Sequence, residues 1–367
     1  MASRIVLFGA TGYTGDLTAR ELVRRGLRPV LAARNATRLE ALAGELGGLE
    51  TQVADVCDPA SVAALVEAGD VLISTVGPFM RWGDAALEAA IAKGAHYLDS
   101  TGESPFIRKV FEDAGPRAER AGVGLLTAMG FDFVPGNLAG ALALREGGAD
   151  VRRLDIGYFT SGIASNGLSG GTRASAIGAS MEPAFTWRDG RLIAERPAKR
   201  VRSFEVLPGK DGSAVSLGST EAYTLPRLQR DVWHVDTYLG IFGSASRVAQ
   251  VFSAGTSLAA KVPGFKALSG AVGGRFVKGS SGGPDAAARA GTRVTLIADG
   301  YDVSGTRIAH VRLEGPNVYD LTAGFLAWGA EQAAAGKLRG TGALGPVDGF
   351  GLDELQAAAA EYGLVAA

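Results

Sequence analysis

Short apolar runs alternate with helix-like segments in the first third of the chain. In the helix-like segments apolar residues recur at helical spacing, as Leu39, Leu42, Ala43 and Leu46 do. The runs between them are apolar at successive positions, which is typical of parallel strands buried on both faces. The pattern therefore predicts an α/β fold with a Rossmann-type, doubly wound parallel sheet. The predicted strands span residues 4–8, 29–34, 49–55, 70–76, 95–100 and 123–129, and one of the helices is predicted over 83–93.

The pattern changes after Pro135. Strand-like segments follow one another with fewer helices, and Asp211-Gly212 and Asp299-Gly300 are typical hairpin turns. This half of the chain predicts a second, α+β domain built on a mostly antiparallel sheet. Its predicted strands span 151–160, 201–207, 214–224, 231–242, 292–300 and 306–314, and its helices span 172–181 and 244–260.

These patterns divide the chain into two domains. We expect a dinucleotide-binding Rossmann domain over residues 1–135 and a substrate or oligomerisation domain over 136–317. The helical segment 318–367 is expected to pack back on the first domain. Residues 269–291 are rich in Gly, Ser and Ala, and we expect a loop there.

Composition narrows the class of partner. The 367 residues carry 37 basic and 38 acidic side chains, and this balance gives no reason to expect nucleic acid as a partner. No apolar run of about 18 residues predicts a membrane span, and no signal peptide is recognisable, so we expect a cytoplasmic protein without stable membrane insertion. A small-molecule or carrier-bound substrate is the expected partner, and a homodimer is one possibility for assembly.

A single cysteine, Cys57, excludes an internal disulfide and a cysteine-based zinc cluster. We expect Cys57 to be a buried small side chain rather than a nucleophile. His96, His234 and His310 are scattered without metal-ligand spacing, so no metal site is expected.

The segment GATGYTG places glycines at positions 9, 12 and 15, directly after a strand and at the start of a helix. Small residues there let the backbone turn sharply and approach a pyrophosphate, while the helix N-terminus directs free N–H groups at the anion. The alternative is an ordinary glycine-rich turn, but the strand, the helix and the following βαβ unit are all in place. The predicted cofactor contacts in this loop are Gly9, Thr11, Gly12, Tyr13, Thr14 and Gly15.

The end of the second strand indicates which dinucleotide binds. Arg34 follows Gly15 by 19 residues, in the segment AARN, and no acid appears before Glu40. An acid at this position would favour NAD, whereas an arginine suits the 2′-phosphate of NADP. We therefore predict NADP, held by Arg34, Asn35 and Arg38; the alternative is that Arg34 is a solvated surface residue.

Further cofactor contacts are predicted from topology, because ligands of such sheets lie at the carboxyl ends of the strands. After the third strand, Asp55 and Val56 are expected to flank the adenine. After the fourth strand, the residues beside the ribose and nicotinamide are expected to be Thr75, Val76, Gly77 and Pro78.

Three acids are candidates for the chemistry. Asp99 and Glu103 follow the fifth strand, and Asp132 follows the sixth, with Phe131 and Phe133 as possible walls of the pocket. An acid at this end of the sheet can transfer a proton or hold a cationic iminium beside a hydride donor. For Glu103 and Asp132 the alternative is a helix N-cap.

Two other segments have less specific interpretations. Residues 169–172 (SGGT) can cradle a carboxylate, but a plain capping turn is preferred. Lys261, Lys266, Arg275 and Lys278 can contact a membrane or a carrier, but a solvated loop is preferred.

In its longer motifs the chain resembles the saccharopine dehydrogenase-like NADP oxidoreductases, especially their trans-acting enoyl reductase branch. The order of the motifs is more specific than any one of them. The matching segments are FGATGYTG (8–15), VGPFMRWGDAALEAAIAKGAHYLDSTGE (76–103), GFDFVPGNLAG (130–140), SGGTRAS (169–175) and GPDAAARAGTR (283–293).

The resemblance implies an NADPH-dependent reductase of a C=C (enoyl) or C=N (imine) bond in a small or carrier-bound metabolite. The local acids favour an imine by charge attraction, whereas the resemblance tips the prediction slightly toward an enoyl substrate. The alternative from another class is a non-catalytic NADP-binding redox sensor. None of the eight tyrosines is followed four residues later by a lysine, which argues against a short-chain reductase site.

Overall fold

The computed structural model of the protein describes residues 3–162, 183–240 and 282–367, and elements are numbered over these residues. The predicted helices 172–181 and 244–260 lie outside the described residues. So do the SGGT turn, the group of basic residues from Lys261 to Lys278, and most of the predicted loop 269–291.

The first sheet is entirely parallel and has the strand order β15-β6-β5-β4-β1-β2-β3. Its central strands β1 and β4 are buried at every residue, which accounts for their continuous apolar sequence. The six strands predicted in this half are confirmed, and so is the doubly wound fold class. The strands are β1 (Ile5–Phe8), β2 (Val30–Ala33), β3 (Thr51–Val53), β4 (Val71–Ser74), β5 (His96–Asp99), β6 (Gly124–Leu126) and β15 (Gly342–Ala343).

Helices connect these strands and cover the sheet. They are α1 (Tyr13–Arg24), α2 (Ala36–Glu45), α3 (Pro59–Ala63), α4 (Phe79–Lys93), α5 (Ser104–Lys109), a π-helical turn (Val110–Ala114) and α6 (Gly115–Ala121). Helix α7 (Val134–Gly147) follows β6 and leads to the second sheet.

The second sheet is mixed and has the order β10-β11-β12-β7-β13-β14-β16, with the β8–β9 hairpin attached to β12. Only the pair β12–β7 is parallel among these described strands, so the prediction of a mostly antiparallel sheet is confirmed. Helix α7 lies against β7, β13 and β14. The strands are β7 (Arg153–Ser161), β8 (Ala184–Arg188), β9 (Arg191–Glu195), β10 (Val201–Leu207), β11 (Lys210–Leu217), β12 (His234–Leu239), β13 (Arg293–Tyr301), β14 (Arg307–Gly315) and β16 (Val365–Ala366).

Several predictions for this sheet were wrong or incomplete. Asp211-Gly212 and Asp299-Gly300 were predicted to be hairpin turns, but they lie within β11 and β13. The strand predicted over 214–224 ends at Leu217, and helix α8 (Glu221–Leu228) follows. Six successive residues of α8, Glu221 to Pro226, are buried, so burial does not alternate there as it does along a half-buried strand. The β8–β9 hairpin was not predicted. Its turn residues Asp189 and Gly190 have φ of 51° and 74°, and Asp-Gly is the dipeptide that such turns favour.

The segment after residue 317 contributes to both sheets. Helix α10 (Val318–Ala334) packs against α1, and Arg25, the C-cap residue of α1, donates to Glu331 at 2.7 Å. Strand β15 extends the first sheet beside β6, and β16 pairs with β14 of the second. The boundaries at 135 and 317 stay a prediction. The remaining helices are α9 (Ala286–Ala290), α11 (Pro346–Phe350) and α12 (Leu352–Glu361).

Among the described residues, no helix combines the length and the apolar character needed to cross a membrane.

Candidate functional site

The loop between β1 and α1 requires glycine at two positions for reasons of backbone geometry. Gly9 has φ of 91°, and a Cβ there would lie 2.6 Å from the Thr75 hydroxyl oxygen. A Cβ on Gly15 would overlap the Gly9 carbonyl oxygen, so the helix approaches the strand closely only with glycine. Both glycines therefore shape the turn itself.

Gly12 is different, because its backbone does not require glycine. It is extended, with φ of −81°, and the nearest atom to a Cβ would be the Gly9 carbonyl oxygen at 3.2 Å. Gly12 is the N-cap of α1, and no side chain of the described residues caps the N–H groups of the first turn. This cradle fits a pyrophosphate, and a larger side chain at Gly12 would fill it.

Thr75 ties the end of β4 to this loop. Its N–H donates to the Phe8 carbonyl at 2.9 Å, and its hydroxyl lies 3.2 Å from the same oxygen. The residues that follow it, Val76, Gly77 and Pro78, are half-buried at the carboxyl end of β4. The predicted phosphate and nicotinamide contacts are thus neighbours along one edge of the sheet.

The end of β2 presents an exposed positive charge. The Arg34 side chain forms no hydrogen bond or ion pair within the described residues, whereas Arg20 nearby is bonded to Asp16 and Glu45. Arg38 reaches toward the loop, with its guanidinium 3.4 Å from the Thr11 carbonyl oxygen. These features suit a 2′-phosphate.

A cleft of about 390 Å³ lies between α1 and α2 beside these arginines, with Thr11, Gly12 and Arg38 in its lining. Asn35 is the N-cap of α2, and its side-chain oxygen accepts from the Arg38 N–H at 2.9 Å. That oxygen is therefore committed to the helix.

The Tyr13 side chain points away from the cradle toward the second half of the chain. Its hydroxyl donates to the Pro284 carbonyl, and Arg289 donates to the hydroxyl at 3.1 Å. Its ring lies edge-on to Tyr319 at 5.0 Å between centroids. Because the Tyr13 hydroxyl bonds Pro284 and Arg289, only the Tyr13 backbone can make the predicted contact with the cofactor phosphates.

The turn after β3 corrects one expectation. Asp55 accepts from the Cys57 N–H at 2.9 Å, and the Asp58 side chain caps α3. Cys57 itself is exposed in this turn, so the prediction of a buried small side chain was wrong. Val56, next to it, is half-buried.

Glu103 is a capping carboxylate of a helix that is distant in sequence. It accepts from the N–H groups of Phe79 at 2.7 Å and Met80 at 3.0 Å, at the start of α4. Helix α4 was predicted to begin at residue 83 but begins at Phe79. The two bonds from Glu103 and Pro78 at the N-cap explain the earlier start. Glu103 was predicted either to act on the substrate or to cap its own helix; instead, both of its oxygens hold α4.

Asp99 is a buried scaffold carboxylate. One oxygen accepts from the N–H groups of Thr101 and Ala128, both at 2.9 Å, and the other accepts from the Thr127 hydroxyl at 2.8 Å. Burial raises the pKa of Asp99 to about 6, although these hydrogen bonds favour the charged form. Since Asp99 is fully buried and joins the loops after β5 and β6, substrate does not reach it.

Asp132 is the candidate acid with a free carboxyl group. It is partly exposed and has no hydrogen-bond partner within the described residues. A Cβ on Gly102 would lie 2.9 Å from an Asp132 carboxyl oxygen, so the acid lies directly over the backbone of the loop after β5. Burial raises the pKa of Asp132 to about 6. The N-cap of α7 is Phe133, which excludes the capping interpretation of Asp132.

The aromatic residues around Asp132 are packed rather than open. Phe131 and Phe133, expected as pocket walls, are 5% and 2% exposed and lie edge-on to Tyr158. Tyr97 and Tyr158 are buried, so neither hydroxyl reaches a substrate. The buried Glu221 bonded to Tyr158 was missed, and no spacing in the sequence indicated it.

The sequence of the first half of the chain is similar to a known protein family. Residues 5–126 match the family described as the saccharopine dehydrogenase NADP binding domain. This match confirms the resemblance inferred from the motifs, and it confirms NADP as the cofactor.

Curated relatives match the chain over a limited region. The trans-acting enoyl reductase of Mycobacterium ulcerans (strain Agy99) is 36% identical over 140 residues, which cover 36% of this chain and 34% of the relative. A putative trans-acting enoyl reductase of Mycobacterium tuberculosis (strain ATCC 25618 / H37Rv) is 37% identical over 182 residues, or 47% of this chain and 43% of the relative. The matched region spans less than half the length of these relatives.

Among solved structures, saccharopine dehydrogenase (L-Glu forming) from Saccharomyces cerevisiae superposes with a TM-score of 0.60. The alignment covers 100% of this chain and 99% of that one at 14% identity. At this identity the likeness shows a shared fold.

Proposed function

We propose that this protein, whose residues 5–126 form an NADP-binding domain, is an NADPH-dependent reductase of a polarised double bond. The bound cofactor would supply a hydride at the carboxyl ends of β4 and β5. The α1 cradle would hold its pyrophosphate, Arg34 and Arg38 its 2′-phosphate, and the segment from Thr75 to Pro78 its nicotinamide end.

The observation that carries the proposal is the free carboxyl group of Asp132. Of the three candidate acids, Glu103 accepts from two backbone N–H groups, and Asp99 accepts from two backbone N–H groups and the Thr127 hydroxyl. Asp132 has no partner within the described residues. It lies over Gly102, beside the loop where the nicotinamide end is proposed. A pKa of about 6 keeps a useful fraction of Asp132 protonated near neutral pH.

Two substrate classes fit this acid in opposite charge states. An enoyl substrate takes the hydride at its β-carbon, and the resulting enolate then takes a proton from the neutral Asp132 carboxyl at its α-carbon. A cationic iminium takes only the hydride at carbon, and the ionised Asp132 would stabilise its positive charge. The names of the curated relatives favour the enoyl substrate, and a carrier-bound thioester is the proposed form.

The pH dependence of turnover separates the two classes. If Asp132 donates a proton, kcat falls as the pH rises through about 6; if it stabilises an iminium, kcat falls as the pH drops through about 6. The experiment follows NADPH oxidation with α,β-unsaturated thioesters and with cyclic imines, across roughly pH 5 to 8.

Asp132→Asn is expected to lower kcat about 100-fold or more while leaving the NADPH Kd unchanged. The matched control is Asp150→Asn, which removes an exposed carboxyl and should leave kcat unchanged. Full activity of Asp132→Asn would remove this residue from the mechanism. Tight NADPH binding without turnover of either panel would replace the reductase with the redox-sensor alternative.

A further inference from the structure

Tyr158 reaches the Asp132 loop from the second sheet. It lies on β7 and is 1% exposed. Its ring packs edge-on against Phe131 at 5.4 Å and Phe133 at 5.8 Å between centroids. These are the two neighbours of Asp132 in the sequence, so one side chain contacts the loop on both sides of the acid.

The Tyr158 hydroxyl also fixes the backbone that follows Asp132. It accepts from the Gly136 N–H at 2.8 Å, in the first turn of α7, and lies 3.2 Å from the Phe133 carbonyl oxygen. A Cβ on Gly136 would overlap the Tyr158 hydroxyl, so glycine is required for this approach. The hydroxyl therefore joins the start of α7 to the Asp132 loop.

Glu221 of α8 orients that hydroxyl. Its carboxyl oxygen lies 2.7 Å from the Tyr158 oxygen, and the residue is fully buried. Glu221 forms no ion pair within the described residues, and burial raises its pKa to about 7. A buried carboxyl without a cation depends on hydrogen bonds, and the Tyr158 hydroxyl supplies one of 2.7 Å to the Glu221 side chain.

We propose that Tyr158 is the positioning residue of Asp132 and that Glu221 fixes the Tyr158 hydroxyl for this purpose. The proposal rests on Asp132 being the group that acts on the substrate. Tyr158 and Glu221 do not touch the substrate. They hold the Asp132 carboxyl over Gly102 in a partly buried position. Through Tyr158, the second sheet therefore affects proton transfer by Asp132.

The titratable groups that surround the Asp132 loop are Tyr158, Glu221, Asp99 at the end of β5, and Glu103 in the loop after β5. Within the described residues, no arginine, lysine or histidine pairs with Asp132. Its titration therefore depends on burial, and burial depends on where the loop is held.

The test is Tyr158→Phe, which keeps the ring contacts and removes the hydroxyl. We expect kcat to fall about ten- to hundredfold with the KM for NADPH unchanged, because the acid is misplaced while the cofactor cradle is intact. By carbon NMR, the titration midpoint of the Asp132 carboxyl should fall by about half a unit or more, toward the ordinary value, as water reaches it.

The matched control is Tyr223→Phe. Tyr223 lies on the same helix as Glu221 and bonds Glu112 at 2.9 Å, away from the Asp132 loop. It should leave both kcat and the Asp132 midpoint unchanged. A folded Tyr158→Phe protein with an unchanged midpoint would overturn the proposal.

If Tyr158→Phe does not fold, two variants of Glu221 test the same positioning role. Glu221→Gln keeps an oxygen acceptor for the hydroxyl and should behave like the parent, whereas Glu221→Leu should lower the Asp132 midpoint. Equal midpoints in the two variants would overturn the proposal. The NMR measurement needs no turnover, so it judges the positioning role even if the reductase activity itself is refuted.

Discussion

The nucleotide end and the reaction end of the proposed site are built in different ways. At the nucleotide end the determinants are backbone geometry and exposed charge: the glycine turn at 9–15, the first turn of α1, and the exposed Arg34. At the reaction end the determinants are buried carboxyls, each held by a different part of the chain. Anion recognition can thus be encoded in a short local segment, whereas protonation is set by long-range packing.

A tyrosine links each end to the second half of the chain, in opposite directions. Tyr13 extends from the cofactor loop to Pro284 and Arg289, whereas Tyr158 extends from the second sheet into the Asp132 loop. The Tyr13 side chain points away from the phosphate cradle, whereas the Tyr158 side chain packs against the residues on both sides of Asp132. We therefore expect substitutions at the two ends to separate binding from protonation.

The largest effect is expected from Gly12→Val, which tests whether the nucleotide end is an open cradle. The side chain would occupy the pyrophosphate position, so NADPH affinity should fall more than about 100-fold, or ~2.7 kcal/mol, in calorimetry. The fold should persist, because a Cβ there meets only one atom, at 3.2 Å. Gly44→Val, in open space on α2, is the control and should bind normally. Normal binding by folded Gly12→Val would show that the phosphates lie elsewhere.

Arg34→Asp is expected to have the next largest effect and to change only the nucleotide end. Loss of a charge-assisted bond and the added repulsion should weaken NADPH binding by roughly 1.5–3 kcal/mol while NADH binding stays nearly unchanged. Calorimetry with both cofactors measures the ratio. Arg120→Asp makes the same charge change at an exposed position of α6 and should alter neither affinity. Equal losses for both cofactors would break the assignment of Arg34 to the 2′-phosphate.

The smallest effect concerns stability and belongs to the reaction end. Asp132 has a folded-state pKa of about 6 against an unfolded value of about 3.9, so the folded state binds this proton more tightly. The parent should therefore lose stability from this group as the pH rises from about 4 to about 6, with the full cost present above that range. Asp132→Asn lacks the titration, so its stability relative to the parent should rise by about 1–2 kcal/mol over the same interval.

Urea unfolding at several pH values measures this difference. Asp150→Asn is the control, and its stability curve should run parallel to that of the parent. If the Asp132→Asn curve is also parallel, Asp132 titrates as an ordinary surface acid and the contrast between the two ends is lost.

The nucleotide end was predictable because its signals are close in sequence. The glycines at 9, 12 and 15 and the arginine at 34 lie within one βαβ unit, and each position has a direct geometric or electrostatic meaning. Even there, the sequence did not indicate that Tyr13 would turn outward, since Pro284 and Arg289 are more than 270 residues away.

The reaction end was predictable only as a group of acids. Position in the sequence placed Asp99, Glu103 and Asp132 at the ends of neighbouring strands, but it did not distinguish their partners. Glu103 caps a helix that begins 24 residues before it, and Glu221 lies in a segment that was predicted to be a strand but forms helix α8. The role of each carboxyl depends on which buried N–H and hydroxyl groups it bonds after folding. These partners are distant in sequence, so a local sequence pattern cannot predict them.

The segment 318–367 places an edge strand in each of the two sheets. The parts of the chain that form the first and the second sheet therefore cannot be separated by a single cut near residue 135. A fragment ending near residue 135 would lack β15 and α10, leaving β6 as an open edge and the covered face of α1 in water. Open edges recruit other strands, so such a fragment is expected to aggregate. An exchange of the second sheet for that of another protein would therefore have to keep residues 318–367 and match β16 to the incoming sheet.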